Sequence, residues 1–277
     1  MTVDVNDGGT ASPSTDDWSG GGSAALTAHA PAAAASFATL VSVRPSGVFD
    51  ELLAAPAVSA FADQFRADVS QIDERLRADF ATLTRDHQLA VAQMVWIADV
   101  APRLRVALDT LFGPSDWPVE RRHPVADLSG VIENFTASVA RLTALDAITT
   151  ELVRLRGARQ HACRIDASRR AVEALEAGAD DDTFAVVDHY ADSNLPDRTK
   201  AALALLDAMI WTPLSLPADV VDGVRAQLTP AQAVEVVLDV VRNAANKIAV
   251  ALGSDVPEVT DGVQLFRTDA DGVVTTV

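Results

Sequence analysis

One cysteine cannot close a disulfide within its own chain, and Cys163 is the only one among these 277 residues. A disulfide framework is therefore excluded, and a lone thiol fits a reducing, cytoplasmic setting. Aromatic residues are scarce at 5%, and the 49% hydrophobic content is mostly alanine, valine and leucine, which suits a helical globular protein. No apolar run approaches roughly 18 residues without a charge or a proline, so no membrane span is expected. The start, Met1 to Asp7, is acidic where a secretory signal is basic. Positive charge is also short: 22 basic against 39 acidic residues leave −17, which argues against nucleic acid and anionic membranes as partners. The length allows one large domain or two small ones.

What is present concentrates between Thr143 and Gly178. This stretch holds Cys163 and six arginines: Arg154, Arg156, Arg159, Arg164, Arg169 and Arg170. Asp166 is the one acid between 154 and 170, so six positive charges less one make the segment +5. Cations near a thiol favour the reactive thiolate. Thr143, with Asp146 three residues on, predicts a helix start. Leu145, Ile148, Leu152 and Leu155 form one apolar stripe, with Glu151 at its edge, roughly 40° from Leu155 and 60° from Ile148. Gly157 weakens that helix near its end. A second helix is predicted from near Cys163 to Gly178, with Val172 and Leu175 inward. A thiol in a first helical turn has its pKa lowered by the macrodipole, so Cys163 is expected below the ~8.5 of a free thiol.

Glu151-Leu-Val-Arg-Leu-Arg156, followed by Cys163 twelve residues after the glutamate, resembles the carboxymuconolactone decarboxylase family, in particular its alkylhydroperoxidase D-like branch. That family's motif reads Glu, eleven residues, then C-x-x-C-x-x-x-H. Glu151 and Cys163 match the first two positions, whereas Asp166 stands at the second cysteine and Arg170 at the histidine. The nearest substitute histidine is His161. The resemblance extends to about Gly253. It implies an all-α fold, an alkylhydroperoxidase D-like helical bundle, with additional N-terminal helices. It also implies a homo-oligomer, trimer or higher, and proton relay at Glu151, with neither cofactor nor metal.

The remaining chain is punctuated by helix signals. Residues 1–46, rich in Gly, Ser, Thr, Ala and Asp, read as a disordered leader or a docking arm. Residues 47–142 read as an N-terminal helical region. Phe61, Phe65, Val69, Ile72 and Leu76 make one amphipathic helix, and Leu89–Phe112 makes another that Pro102 should kink or split. The loop 114–127 carries Trp117, Arg121, Arg122 and His123, as an anion-binding loop or a solvated connector. Residues 128–142 form another helix. Within the family-like region, 143–254, Asp180, Asp181 and Asp182 fit a helix N-terminus better than a metal site. Helices open near Pro196 and Pro217. Thr229-Pro230-Ala231-Gln232 marks a capped start to a stripe of Val234, Leu238, Val241, Ala245, Ile248 and Leu252, ended by Gly253. Asn243, Asn246 and Lys247 read as flanks of this stripe or as site polars. The Ala/Val-rich helices 196–211 and 230–252 offer apolar surface for the oligomer. The tail 255–277 predicts a small hairpin around an Asp-Gly turn.

Three functions follow. The first is a thiol-dependent peroxidase-like oxidoreductase, with Cys163, Glu151 and His161 catalytic. With one thiol it needs an external thiol reductant or a second subunit. The second is a lyase or isomerase acting on a carboxylated small molecule, with Arg164 and Arg170 binding the carboxylate and Glu151 or His161 moving protons. The third is a non-catalytic helical oligomer that keeps the fold alone, with Cys163 an inert packing residue.

Overall fold

A computed structural model describes residues 18–43, 47–118, 127–259 and 261–277. The N-terminal half comprises α1 (Gly22–His29), α2 (Pro31–Ser42), α3 (Val48–Ala54), α4 (Pro56–Ala67), α5 (Glu74–Thr84), α6 (Gln88–Phe112) and α7 (Leu128–Ala140). Next come α8 (Ala147–Gln160), α9 (Arg164–Ala167), the strand β1 (Arg169–Ala171), α10 (Val172–Glu176), α11 (Asp181–Ala185), α12 (Asp197–Trp211) and α13 (Ala218–Gln227). The chain finishes with α14 (Pro230–Asn243), α15 (Asn246–Leu252), β2 (Gln264–Thr268) and β3 (Val274–Thr276). The protein is all-α, with one small sheet among the described residues. Among the described residues no helix is long and apolar enough to cross a membrane.

α14 is the axis. Thr229 caps it, Pro230 opens it, and Gln232 returns the capping bond, so its start is fixed by side chains on both sides of the first turn. Every residue from Ala233 to Val241 is buried, because α1, α6, α7, α8 and α12 surround it. The apolar faces of 196–211 and 230–252, expected to serve an oligomer, lie within this core. One hydrophobic cluster runs from Trp18 to Ala251.

The leader expected over 1–46 is corrected where it is described. Trp18 stacks on Phe112 at 5.0 Å, and Leu26, Phe37 and Leu40 are core residues. Small residues let α1 approach α6: the amides of Gly21 and Gly22 donate to Phe112 and Gly113 carbonyls, and a Cβ on Gly22 would sit 2.7 Å from Leu108. Residues 1–17 and 44–46 lie outside the described residues, as do Arg121, Arg122 and His123 of the proposed anion loop. Trp117 of that loop is partly buried, donating to Asp109 at 2.9 Å.

Three predicted helices differ in continuity. The stripe from Phe61 to Leu76 is divided because Asp68 is extended and caps a short 3₁₀ turn. Pro102 leaves α6 unsplit through its 25 residues. The stripe from Val234 to Leu252 is interrupted at Ala244 and Ala245 before α15, which Gly253 ends in the left-handed conformation (φ 70°).

The expected helix from Cys163 to Gly178 is replaced by a single turn, a strand and a short helix. β1 pairs in parallel with β2, Arg170 facing Leu265, and β2 pairs antiparallel with β3. The C-terminal hairpin is thus present, and β1 joins it as a third strand. Gly272, at φ 80°, seats its turn on α7, where a Cβ would lie 2.2 Å from the Ala137 carbonyl.

Candidate functional site

α8 begins three residues later than Thr143 would place it. Asp146 is the cap, accepting from the Thr149 amide at 2.9 Å. Glu151, expected at the edge of the stripe, is buried. It is engaged at two points by Arg154, with Nε to Oε2 and Nη2 to Oε1 both at 2.7 Å. Arg154 also donates to the carbonyls of Asp166 and Arg169 at 2.8 Å each, and Ala171 N donates to Glu151 at 3.2 Å. Its guanidinium lies over Phe266 at 5.1 Å. This one pair therefore joins α8, α9, β1 and β2. Burial disfavours the Arg154 charge, yet Glu151 and Asp166 outweigh it and raise its pKa.

The network continues through Asp166. Asn246 Nδ2 donates to Asp166 Oδ2 at 2.9 Å, leaving its Oδ1 to accept from His161 Nδ1 at 2.9 Å. His161 is buried, and burial together with the Lys247 cation lowers its pKa to about 3. Lys247 pairs with Asp99 at 2.6 Å, and Arg103 closes the other side of that carboxylate at 2.8 Å. His161, Asp99, Arg103 and Lys247 border a cavity of about 20 Å³, room for one water. Asn246, half-buried, and Lys247, buried, are thus members of a network rather than flanks.

Cys163 contradicts its expectation. It is 2% exposed, and burial, with Asp166 and Asp255 nearby, pushes its pKa up to about 12. α9 is one turn long, too short for a strong macrodipole. The arginine island is also neutralised in space. Arg164 turns outward to Asp255 at 2.7 Å, Arg156 pairs with Asp207 at 2.9 Å, and Arg159 with Asp188 at 3.0 Å. Arg169 donates to Gln264. Arg170 donates to the carbonyls of Ala167 and Arg169 and lies over Phe184. Neither Arg164 nor Arg170 is placed to receive a carboxylate.

A roomy space lies on the far side of Arg154. Two hollows meet there between α7, α8, α14 and the tail sheet. The larger, about 700 Å³, includes Ala137, Asp166, Arg169 and Asn246 in its walls. The smaller, about 380 Å³, includes Leu142, Leu145 and Glu151. Arg141, Arg154, Arg242 and Phe266 line both, whereas Cys163 and His161 line neither.

Arg242 is the group that sequence reasoning missed. Its nearest anion is Asp239, 3.9 Å away, and it makes no hydrogen bond among the described residues. Asp239 is itself buried, with Oδ2 unpartnered. Burial raises its pKa to about 7, against the pull of Arg242 and with the help of Glu235. Glu235, one turn earlier, accepts the Ala144 amide at 2.6 Å. The signal was available: Glu235, Asp239 and Arg242 recur at spacings of four and three, a polar stripe opposite the valines. Among the described residues no cluster of histidine, cysteine and carboxylate side chains fits a metal ion.

Over 222 residues the sequence is 40% identical to two uncharacterized proteins of Mycobacterium tuberculosis, Rv2313c of strain ATCC 25618 / H37Rv and MT2376 of strain CDC 1551 / Oshkosh. The matched region covers 78% of this chain and 78% of each relative. No family model matches the chain, and no solved structure matches it.

Proposed function

This chain belongs to the family of the two mycobacterial proteins, and we propose that it binds a carboxylated small molecule in the cleft between α7, α8, α14 and the tail sheet. One observation carries this reading: Arg242 borders both hollows, is 16% exposed, and has no hydrogen-bond partner for its guanidinium among the described residues. A guanidinium in partial burial is matched best by a carboxylate that takes two of its N–H donors. The cleft volumes lie within the roughly 300–1,000 Å³ of small-molecule sites.

Asp239 supports the lyase or isomerase form of this reading. It stands beside Arg242 but lines neither hollow, so its support is through the charge of Arg242 and not through contact with a ligand. Glu151 does line the smaller hollow, but Arg154 holds both its oxygens. The thiol-peroxidase reading has less support, since Cys163 is buried, protonated and apart from the cleft. The test is titration of the full chain with phenylacetate, followed by calorimetry and by amide NMR shifts. Saturable binding with shifts along α14 and β2 is expected, weakened about tenfold or more by Arg242→Gln. Equal affinity in the variant would remove Arg242 from the site.

A further inference from the structure

We infer that the ligand is a monocarboxylic acid with an apolar body, its carboxylate on Arg242 and its body in the smaller hollow against Leu142, Leu145 and Phe266. This rests on the carboxylate-binding reading above and names the ligand class.

The first argument is charge. The other charged groups around the smaller hollow are already engaged. Arg154 holds Glu151 at two points. Glu173 accepts the Thr268 amide at 3.2 Å. Asp269 accepts the amides of Asp271 and Val273 at 2.9 Å each, and Arg141 donates to the Asp271 carbonyl at 3.1 Å. Arg141 is exposed and spends one donor on the hairpin, whereas Arg242 is partly buried with every donor unused and no carboxylate within hydrogen-bond reach, so Arg242 is the cation placed to take a ligand carboxylate. A second negative charge on the ligand would face Glu151, Glu173 and Asp269 across the hollow, and would be repelled. A cationic ligand would meet Arg242, Arg154 and Arg141.

The second argument is the wall. Ala140, Leu142, Leu145, Ala147, Ala171 and Phe266 give the smaller hollow its apolar surface. Phe266 is held flat by Arg154, so its remaining surface is positioned for a ring or a short alkyl chain. At about 380 Å³ the hollow has room for such a body, and burying it there removes apolar surface from water. The larger hollow is more polar, with Asp166, Arg169, Asn243, Asn246 and Asp271 among its walls, and also borders Arg242.

The experiment is calorimetric titration of the full chain with phenylacetate, phenylacetamide, acetate, succinate and inorganic phosphate. Phenylacetate is expected to bind about tenfold or more tightly than each of the others. Ala147→Leu, which narrows the smaller hollow from the start of α8, is expected to weaken phenylacetate and leave acetate unchanged. Arg242→Lys checks the charge without removing it, and should keep the preference for acid over amide. Acetate equal to phenylacetate would overturn the apolar body while leaving the carboxylate reading intact. Succinate or phosphate binding more tightly would overturn the single charge. Phenylacetamide equal to phenylacetate, or no binding by either acid, would overturn this inference together with the carboxylate reading beneath it.

Discussion

Glu151 and Arg154 lie one turn apart on α8 and form a two-point ion pair whose remaining donors hold the backbone of α9 and β1. A pair this buried does not contribute much net stability, but either partner alone leaves an unmatched charge. Glu151→Gln is expected to destabilise by about 3–5 kcal/mol, and Glu151→Gln with Arg154→Met by less than either single change. Urea denaturation of the three variants tests this. A double variant as unstable as the sum of the singles would show that the two residues act independently.

Cys163 should behave as a packed apolar group. With its pKa near 12, the folded protein should show no thiolate absorbance below about pH 10. Alkylation by iodoacetamide should be slow until the protein is unfolded, and Cys163→Ala should cost about 1–2 kcal/mol through the lost packing. A thiolate transition near 8.5 in the native protein, with Cys163→Ser as blank, would sink this expectation.

Two buried groups make stability depend on pH in opposite senses. His161 falls from 6.5 to about 3 on folding, so its contribution is complete above about pH 6.5 and is lost as pH drops toward 3. Asp239 rises from 3.8 to about 7, so its contribution is complete below about pH 4 and is lost as pH rises through 7. Asp239→Asn should therefore stabilise at pH 8, by on the order of 2 kcal/mol, and hardly at all at pH 4. His161→Gln should flatten the decline on the acid side. Denaturant midpoints across pH 4–8 decide it: an Asp239→Asn gain that is the same at every pH would mean that Asp239 is ionised in the fold.

Gly272 carries two constraints at once, a positive φ and contact with the Ala137 carbonyl. Gly272→Ala should destabilise by about 1–3 kcal/mol, since the added Cβ must push the hairpin off α7. Because Gly272 and Val273 wall the larger hollow, ligand affinity should fall in the same variant. A melting temperature unchanged from wild type would show that the tail is free to move away.

Much of the helical frame was legible in short-range chemistry. Thr229 with Gln232, Asp180 with Thr183, and Gly253 all act through neighbours within a turn, and each marks the boundary it was read to mark. α1 and α2 escaped because Gly22 to Ser42 is built from small residues whose packing depends on close approach rather than on an amphipathic pattern. β1 escaped for another reason: three residues in an arginine run become a strand only because Gln264–Phe266 lie beside them. The site was misjudged because charge was counted along the chain. Folding gives each of the six arginines a partner, while Arg242, whose guanidinium has no hydrogen bond and whose nearest carboxylate is 3.9 Å away, stands on a helix whose valines had claimed attention.

The parallel pairing of β1 and β2 joins residues 95 positions apart, and it supplies one wall of the cleft. The ladder is three residues long, whereas α14 is surrounded by five helices. Amide exchange should therefore separate the two: protons in β1 and β2 should be lost through local opening, well before those of α14 report global unfolding. Release of the tail would uncover Phe266 and both hollows without disturbing the helical core. A ligand seated against Phe266 would add to the free energy of undoing that short sheet, and should slow exchange there first.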